Sequence, residues 1–462
     1  MALGICTVKI LVIILPLNGI GQYFELRRLS DLLVIIFTLN IGIGIVRYLP
    51  YTSSPKLLLY KLALFIIPVC ILLILIGQKL CEIDTTIYNC TIGGMPKLII
   101  TGYIISAGLL AVTTDILRGL GNIKQANNIA LSITTLSFVL ICLQFYEYLD
   151  KNLEIFIIGN IIINVIILIY SIFIINKVLI KKEFIKKEIN HSEQVMMILK
   201  YSIARFPSSF LYALIFAWPF VFEYVKTNDP ENIASIGIIF FIIKIFDSLA
   251  YPFNYFILPY LSNKKETIKN MEEQIKFSLN SILMLISLTS IMAPNIIKIT
   301  IILIFGNNFN YLADYSQSVA IAGLSWMIFI LLRGILDYFK TIPYSILIAG
   351  LGLLSVAIIM EISENKDIKS LIFSINMGMV IMAILSYILI MKYGKQSPNF
   401  EWIKKSLVTM IILKIIVEIN IKYFGEVIDK NGNMNYISAI LHIVVCIGAY
   451  GIAGLYLLKI KK

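Results

Sequence analysis

The stretch from Asn176 to Lys200, NKVLIKKEFIKKEINHSEQVMMILK, sets six lysines and three glutamates in the middle of an otherwise apolar chain. Val178, Ile185 and Ile189 share one face of a helix drawn through it, with lysines elsewhere around it, a pattern suited to lying on a lipid surface. A solvated basic loop fits the composition equally well. Under either reading the stretch is a seam, because the blocks on each side of it divide into six hydrophobic segments, with two further segments at the C-terminus.

Of the 462 residues 59% are apolar and only 14% are charged, with a mean hydropathy of +0.89. Soluble domains carry about 25% charged residues, so the chain is read as an integral membrane protein. The expected segments are 3–22, 30–47, 57–77, 98–117, 126–146 and 153–176, then 196–220, 233–257, 277–305, 315–335, 341–361 and 370–391, and finally 402–421 and 436–458. Each is long enough, as a helix, to cross a hydrocarbon layer of about 30 Å. They are too long and too uniformly apolar for the alternating strands of a β-barrel. The expected fold is all-α, with about 14 transmembrane helices. Residues 1–176 form an N-terminal six-helix lobe, 177–195 a cytoplasmic basic amphipathic linker, 196–391 a C-terminal six-helix lobe and 392–462 two additional helices. The first segment is the least regular, because Lys9, Pro16 and Asn18 interrupt it.

Loop charge orients this scheme. With a cytoplasmic N-terminus and alternating crossings, the inner loops and C-terminal tail hold 24 Lys and Arg against 10 in the outer loops. The positive-inside rule then places both termini in the cytoplasm of a plasma-membrane protein. The same distribution explains the net charge of +12 without nucleic acid, since the basic residues lie between apolar segments and form no compact basic domain. Two short matches suggest a duplication: LPYTS at 49–53 against LPYLS at 258–262, and LRG at 117–119 against LRG at 332–334. An even number of intervening segments makes the halves parallel repeats. Pro50 and Pro259 are expected to stop their helices, and Arg118 and Arg333 to reach the headgroups.

With charges near the segment ends counted among the loops, seven charged residues remain inside the segments: Lys9, Asp115, Arg205, Lys244, Asp247, Lys298 and Lys414. Charge at membrane depth should face protein or water. Asp115 is expected to pair with Arg118 three residues on, and Lys414 to pack or snorkel. Lys244 and Asp247 share one helical face, which Tyr251 and Asn254 extend as a polar stripe. Two readings of this pair stay open. It neutralises itself structurally, or it belongs to a solvated cavity whose net positive lining, with Arg205, Lys9 and Lys298, suits an anionic substrate. In the second reading Asp247 tunes Lys244 or answers a coupling cation.

No catalytic constellation competes, as the chain has no zinc-protease helix motif, nucleophile elbow, phosphate-binding glycine loop or dinucleotide fingerprint. His191 and His442 are too few and too separated for a metal site. Neither an enzymatic activity nor a cofactor is therefore expected. Cys6, Cys70, Cys142 and Cys446 fall in apolar runs, while Cys81 and Cys90 share one polar loop and could pair if it faces an oxidising space.

Several stretches resemble a known group. Gly21-Gln22-Tyr23-Phe24 and the run LNIGIGIVRYLP at 39–50, with Arg118-Gly119-Leu120-Gly121-Asn122, LPYLS at 258–262 and Ile304-Phe305-Gly306, resemble polysaccharide flippases of the multidrug/oligosaccharidyl-lipid/polysaccharide exporter superfamily. The resemblance implies twelve core helices in two parallel lobes around a central cavity, often with two extra C-terminal helices, and alternating access. It also implies basic cavity residues, which map here to Arg205, Lys244, Lys9 and Lys298. The expected function is translocation of a polyprenyl-diphosphate-linked oligosaccharide for cell-surface glycan synthesis, with H+ or Na+ as coupling ion and glycan-assembly membrane proteins as partners. The alternative within the superfamily is a cation-coupled small-molecule or drug exporter. Many such exporters carry a membrane carboxylate in the first segment, and 3–22 has none. The alternative of another class is a membrane glycosyltransferase or polymerase. It would need a large polar catalytic loop, and the longest outer loop, Gln78–Lys97, offers only Glu82 and Asp84.

Overall fold

The computed structural model describes residues 2–52, 54–64, 97–181, 191–227, 230–263, 293–339, 344–363 and 367–393, with isolated positions at 68 and between 279 and 290. Segments 402–421 and 436–458 lie outside the described residues, as do Lys414, His442, the Cys81–Cys90 loop and 182–190 of the basic stretch. Among the described residues the helices include α1 (Ala2–Ile14), α2 (Leu17–Thr38), α3 (Ile41–Tyr48), α4 (Lys97–Gly119), α5 (Ile123–Phe145), α6 (Leu153–Lys181) and α7 (His191–Thr227). They continue with α8 (Pro230–Asn263), α9 (Ser316–Phe339), α10 (Ser345–Ile362) and α11 (Ile368–Tyr393). Eight are long and apolar enough to cross a membrane, and α2 with α3 makes a ninth span if the pair, bent by 58°, is counted as one. The chain is thus an all-α, multi-pass membrane protein. Its polypeptide divides into two compact units, Met1–Ala234 and Ser235–Lys462.

The start of the chain departs from expectation. Instead of segments 3–22 and 30–47 joined by an outer loop at 23–29, α2 runs unbroken through that loop. The breaks fall elsewhere. Pro16, which lacks an N–H for the ladder, separates α1 from α2. Leu39 and Asn40, at φ 47° and 56°, separate α2 from α3. Four charges within Glu25–Asp31 look like a loop in composition, yet Glu25 and Arg28 fold onto the buried side of the helix. Lys9 consequently sits in a 13-residue helix, too short to span on its own.

Two further boundaries move. α6 extends to Lys181 and α7 begins at His191, so the helices take in both ends of the basic stretch; helix ends beyond the hydrocarbon tolerate lysine. Pro259 does not stop its helix, since α8 continues to Asn263. Pro50 lies in a 3-10 turn, Leu49–Tyr51, that follows α3 directly.

Within the first unit α2 and α3 pack on α4 and α7, α4 packs on α6, and α5 packs on both α6 and α1. Ile41, Ile45, Leu117, Ile129, Ile174 and Ile198 meet in the core. Lipid is as apolar as this core, so association depends on close packing and a few interhelical hydrogen bonds. Gly42 and Gly44 supply the first. A Cβ on Gly42 would meet the Asp115 carboxylate at 1.9 Å, and one on Gly44 the Ser202 hydroxyl at 2.3 Å and the Ile198 carbonyl at 2.7 Å. Ser137 donates to Asn160 Oδ1 (2.6 Å), Asn164 to Ser106 Oγ (3.3 Å), and Asn40 Nδ2 to Ser209 Oγ (2.8 Å). Each such bond contributes roughly 0.6 kcal/mol in a membrane. Leu131, Val139, Ile162, Ile166, Ile169 and Phe173 on α5 and α6 remain exposed, a surface suited to lipid.

In the second unit α9 and α10 both pack on α11. At the α10–α11 crossing, a Cβ on Gly352 would meet Met382 Cγ at 2.4 Å, and one on Gly378 would meet Val356 at 2.4 Å and the Gly352 carbonyl at 2.9 Å. A π-helical turn at Ile301–Phe305 leads through Gly306 (φ 76°) into the 3-10 segment Asn307–Tyr315.

Candidate functional site

Each unit carries its own cluster of membrane-depth charge. In the first unit, α2 presents Glu25 and Arg28 one turn apart, at 6% and 4% exposure. Arg28 reaches Asp31 (3.5 Å), and its guanidinium carbon stands 5.6 Å from the Phe216 ring centre on α7. Glu25 makes no ion pair among the described residues, and its Oε2 is buried without a hydrogen-bond partner there. Arg27 and Asp31 emerge on another side of α2, which therefore faces something other than hydrocarbon. An ionised carboxylate held this way requires a compensating cation.

Arg205 is buried in α7, with its guanidinium carbon 4.6 Å from the centre of the Tyr201 ring, one turn earlier. Arg47, in the last turn of α3, stands 4.5 Å from the same ring centre and donates from Nη1 to the Tyr201 hydroxyl at 2.7 Å. Pro207 lies inside the same helix two residues beyond Arg205. Asp115 accepts from Arg118 Nη1 at 2.9 Å, with Gly42 leaving room for the carboxylate. Lys9 is half-buried on α1 and makes no ion pair among the described residues.

In the second unit, Lys244 Nζ lies 3.1 Å from Asp247 Oδ2, while the indole N–H of Trp326 donates to Asp247 Oδ1. Lys244 Nζ also stands 5.3 Å from the Trp326 ring centre. Asp247 is thus held on both oxygens, by its own helix and by α9. The Lys244 side chain keeps 31% exposure against 9% for Asp247, so the pair is open only on the lysine side. Lys298 is half-buried on the helix Ala293–Phe305 and makes no ion pair among the described residues. The side chains of Tyr251 and Asn254 lie outside the described residues.

The predicted site residues are therefore gathered in part. Lys244 joins Asp247, and Asp115 joins Arg118. Arg205 acquires a neighbour that was not nominated, Tyr201, whose ring also carries Arg47, and Trp326 was missed beside Asp247. Glu25 and Arg28 were missed because they were assigned to a loop. Their signal was the spacing of Glu25 and Arg28, three residues apart, which puts both on one side of a helix. Among the described residues no group of three His, Cys, Asp or Glu is placed to hold a metal.

No family model matches the sequence, and no curated protein matches it either. Solved structures do match. The lipid II flippase MurJ, in an inward closed conformation, aligns with TM-score 0.57 at 13% identity over 96% of this chain and 98% of that one. A eukaryotic MATE transporter, AtDTX14, aligns with TM-score 0.54 at 13% identity over 88% and 93% of the two chains. A MATE protein in a bent conformation aligns with TM-score 0.50 at 13% identity over 87% and 99%. At this identity the likeness is one of fold, and the folds matched are those of transporters rather than enzymes. The chain has the membrane fold shared by MATE transporters and the MurJ flippase, both members of the multidrug/oligosaccharidyl-lipid/polysaccharide exporter superfamily.

Proposed function

We propose that the protein is a cation-coupled exporter of small amphiphilic compounds that works by alternating access. The observation that carries this reading is Glu25, a carboxylate buried in the first full-length helix without a partner among the described residues. The case against such an exporter was the lack of a carboxylate in the expected first segment. α2 removes that argument by drawing Glu25 into the span. A proton or Na+ bound there would neutralise the site in one conformation and be released in another, so an ion gradient would drive the cycle. The MATE matches support the same reading.

A second reading retains a specific observation. Arg28 and Arg205 are buried cations on neighbouring helices, and a diphosphate is a fitting anion for planar guanidinium forks. Together with the likeness to a lipid II flippase over nearly the whole chain, this favours transport of a polyprenyl-diphosphate-linked oligosaccharide. Arg205 and Lys244, with Lys9 and Lys298 as further candidates, would then line its route, and the plasma membrane would be the site of action.

One preparation separates the two. The full chain is reconstituted into proteoliposomes, and efflux of ethidium is compared with leaflet exchange of a fluorescent polyprenyl-diphosphate oligosaccharide. Gradient-stimulated ethidium efflux without glycolipid exchange supports the exporter. Exchange of the glycolipid alone would replace it with the flippase.

A further inference from the structure

Of the cluster at the end of α3, the two transport readings use only Arg205. Arg47 and Arg205 both stand within 4.6 Å of the Tyr201 ring centre, and the Tyr48 ring meets Tyr201 edge-on at 5.6 Å. Arg205 is buried, whereas Arg47 is exposed. One Nη of Arg47 is committed to the Tyr201 hydroxyl, which fixes the plane of the guanidinium and leaves its other N–H groups directed elsewhere. Arg47 makes no ion pair with a carboxylate among the described residues. Asp115 is engaged by Arg118 beside Gly42, more than one turn back along α3.

Position along the helices adds to this. Arg47 lies in the last turn of α3, just before the 3-10 turn Leu49–Tyr51. α7 has 37 residues, far more than the roughly 20 that a bilayer core requires, so part of it stands outside the hydrocarbon. Lys200 is exposed beside Tyr201. Tyrosines with arginine and lysine at the end of a span mark the headgroup level.

We propose that Arg47 is the contact residue of a site for a phosphoryl group at the membrane surface, filled by the phosphodiester of an anionic phospholipid. Tyr201 orients the Arg47 fork. The Arg205 guanidinium stands 4.6 Å from the same ring centre and helps hold the ring in place. The Arg47 fork can donate charge-assisted hydrogen bonds to a phosphate oxygen. Its contact residue, Arg47, takes part in neither transport reading.

The test uses the full chain in detergent, incubated with phosphatidylglycerol or phosphatidylcholine and weighed by native mass spectrometry. Wild type should retain phosphatidylglycerol preferentially. Arg47→Gln should lower that retention about fivefold, the factor set by one basic side chain at an anionic surface. Arg47→Lys should recover part of it, because lysine keeps the charge and loses the fork. Tyr201→Phe, which keeps the ring and removes the hydroxyl, should fall between wild type and Arg47→Gln. Displacement of the lipid by millimolar inorganic phosphate would keep the phosphoryl site but assign it to a soluble ligand. Equal retention of both lipids by wild type, or retention by Arg47→Gln unchanged at an unchanged melting temperature, overturns the proposal.

Discussion

Asp247 shows how much the worth of a charge depends on what surrounds it. One of its oxygens faces Lys244 at 3.1 Å and the other accepts from Trp326, so little remains for a substrate to claim. Removing Lys244 alone would leave a buried carboxylate held by one indole. A fully buried pair broken in this way costs about 3–5 kcal/mol. Lys244 is 31% exposed, so a loss of roughly 1–3 kcal/mol is expected for Lys244→Gln. The double variant Lys244→Gln/Asp247→Asn should recover most of that, read as thermal unfolding in detergent beside transport. If the double variant is stable and transports normally, the pair is structural and Lys244 has no substrate role. If it is stable and inactive, Lys244 belongs to the route. Trp326→Phe keeps the ring and removes the donor, and should cost about 1–3 kcal/mol through the unpaired oxygen. The pairings of Asp115 with Arg118 and of Lys244 with Asp247 were legible in the sequence, because i,i+3 spacing alone places both groups on one face. Trp326 was not, because its contact spans 79 positions and nothing in the local pattern points to it.

At the scale of elements, helix breaks rather than helices are what the sequence concealed. Segments four to seven and ten to twelve were predicted close to α4–α7 and α9–α11, since long apolar runs bounded by polar residues leave few choices. The α2–α3 break was invisible because neither Leu39 nor Asn40 is a glycine, although both adopt positive φ. Asn40 is a residue type that tolerates this geometry, and it also ties the break to Ser209. Asn40→Val is expected to lower stability by about 1–2 kcal/mol for the left-handed backbone, and more through the lost Ser209 bond. Asn40→Gly should lose only the hydrogen bond. Melting of the two variants side by side separates the contributions, and equal losses would show that backbone conformation does not matter here. Gly44→Val and Gly378→Leu test the close crossings, where each new side chain meets backbone carbonyl oxygen at under 3 Å. Overpacking of this kind costs about 1–3 kcal/mol. An unchanged melting temperature would mean that the helices separate freely.

For the whole molecule, hydropathy made the all-α membrane class plain, while the number of crossings rested on how the first fifty residues were divided. Reading 23–29 as a loop both placed Arg27 and Arg28 outside and hid Glu25 from the list of membrane charges. A composition that mixes Glu, Arg, Arg and Asp in seven residues cannot distinguish an outer loop from a polar face turned toward protein. The proposed orientation, with cytoplasmic termini, can be checked without that region. In a cysteine-free background, Tyr148→Cys in the turn after α5 should label from outside intact cells, and Asn122→Cys before α5 should be protected. The reverse pattern would invert the protein.

The central claim is that Glu25 couples an ion gradient to transport, and ethidium-loaded proteoliposomes address it most directly. Efflux is followed with and without an inward H+ or Na+ gradient, for wild type and Glu25→Gln at matched protein content. The account predicts that one of the two gradients accelerates wild-type efflux several-fold, and that Glu25→Gln shows the same slow efflux with or without it. Acceleration that survives intact in Glu25→Gln, or wild-type efflux that answers to neither gradient, would contradict it.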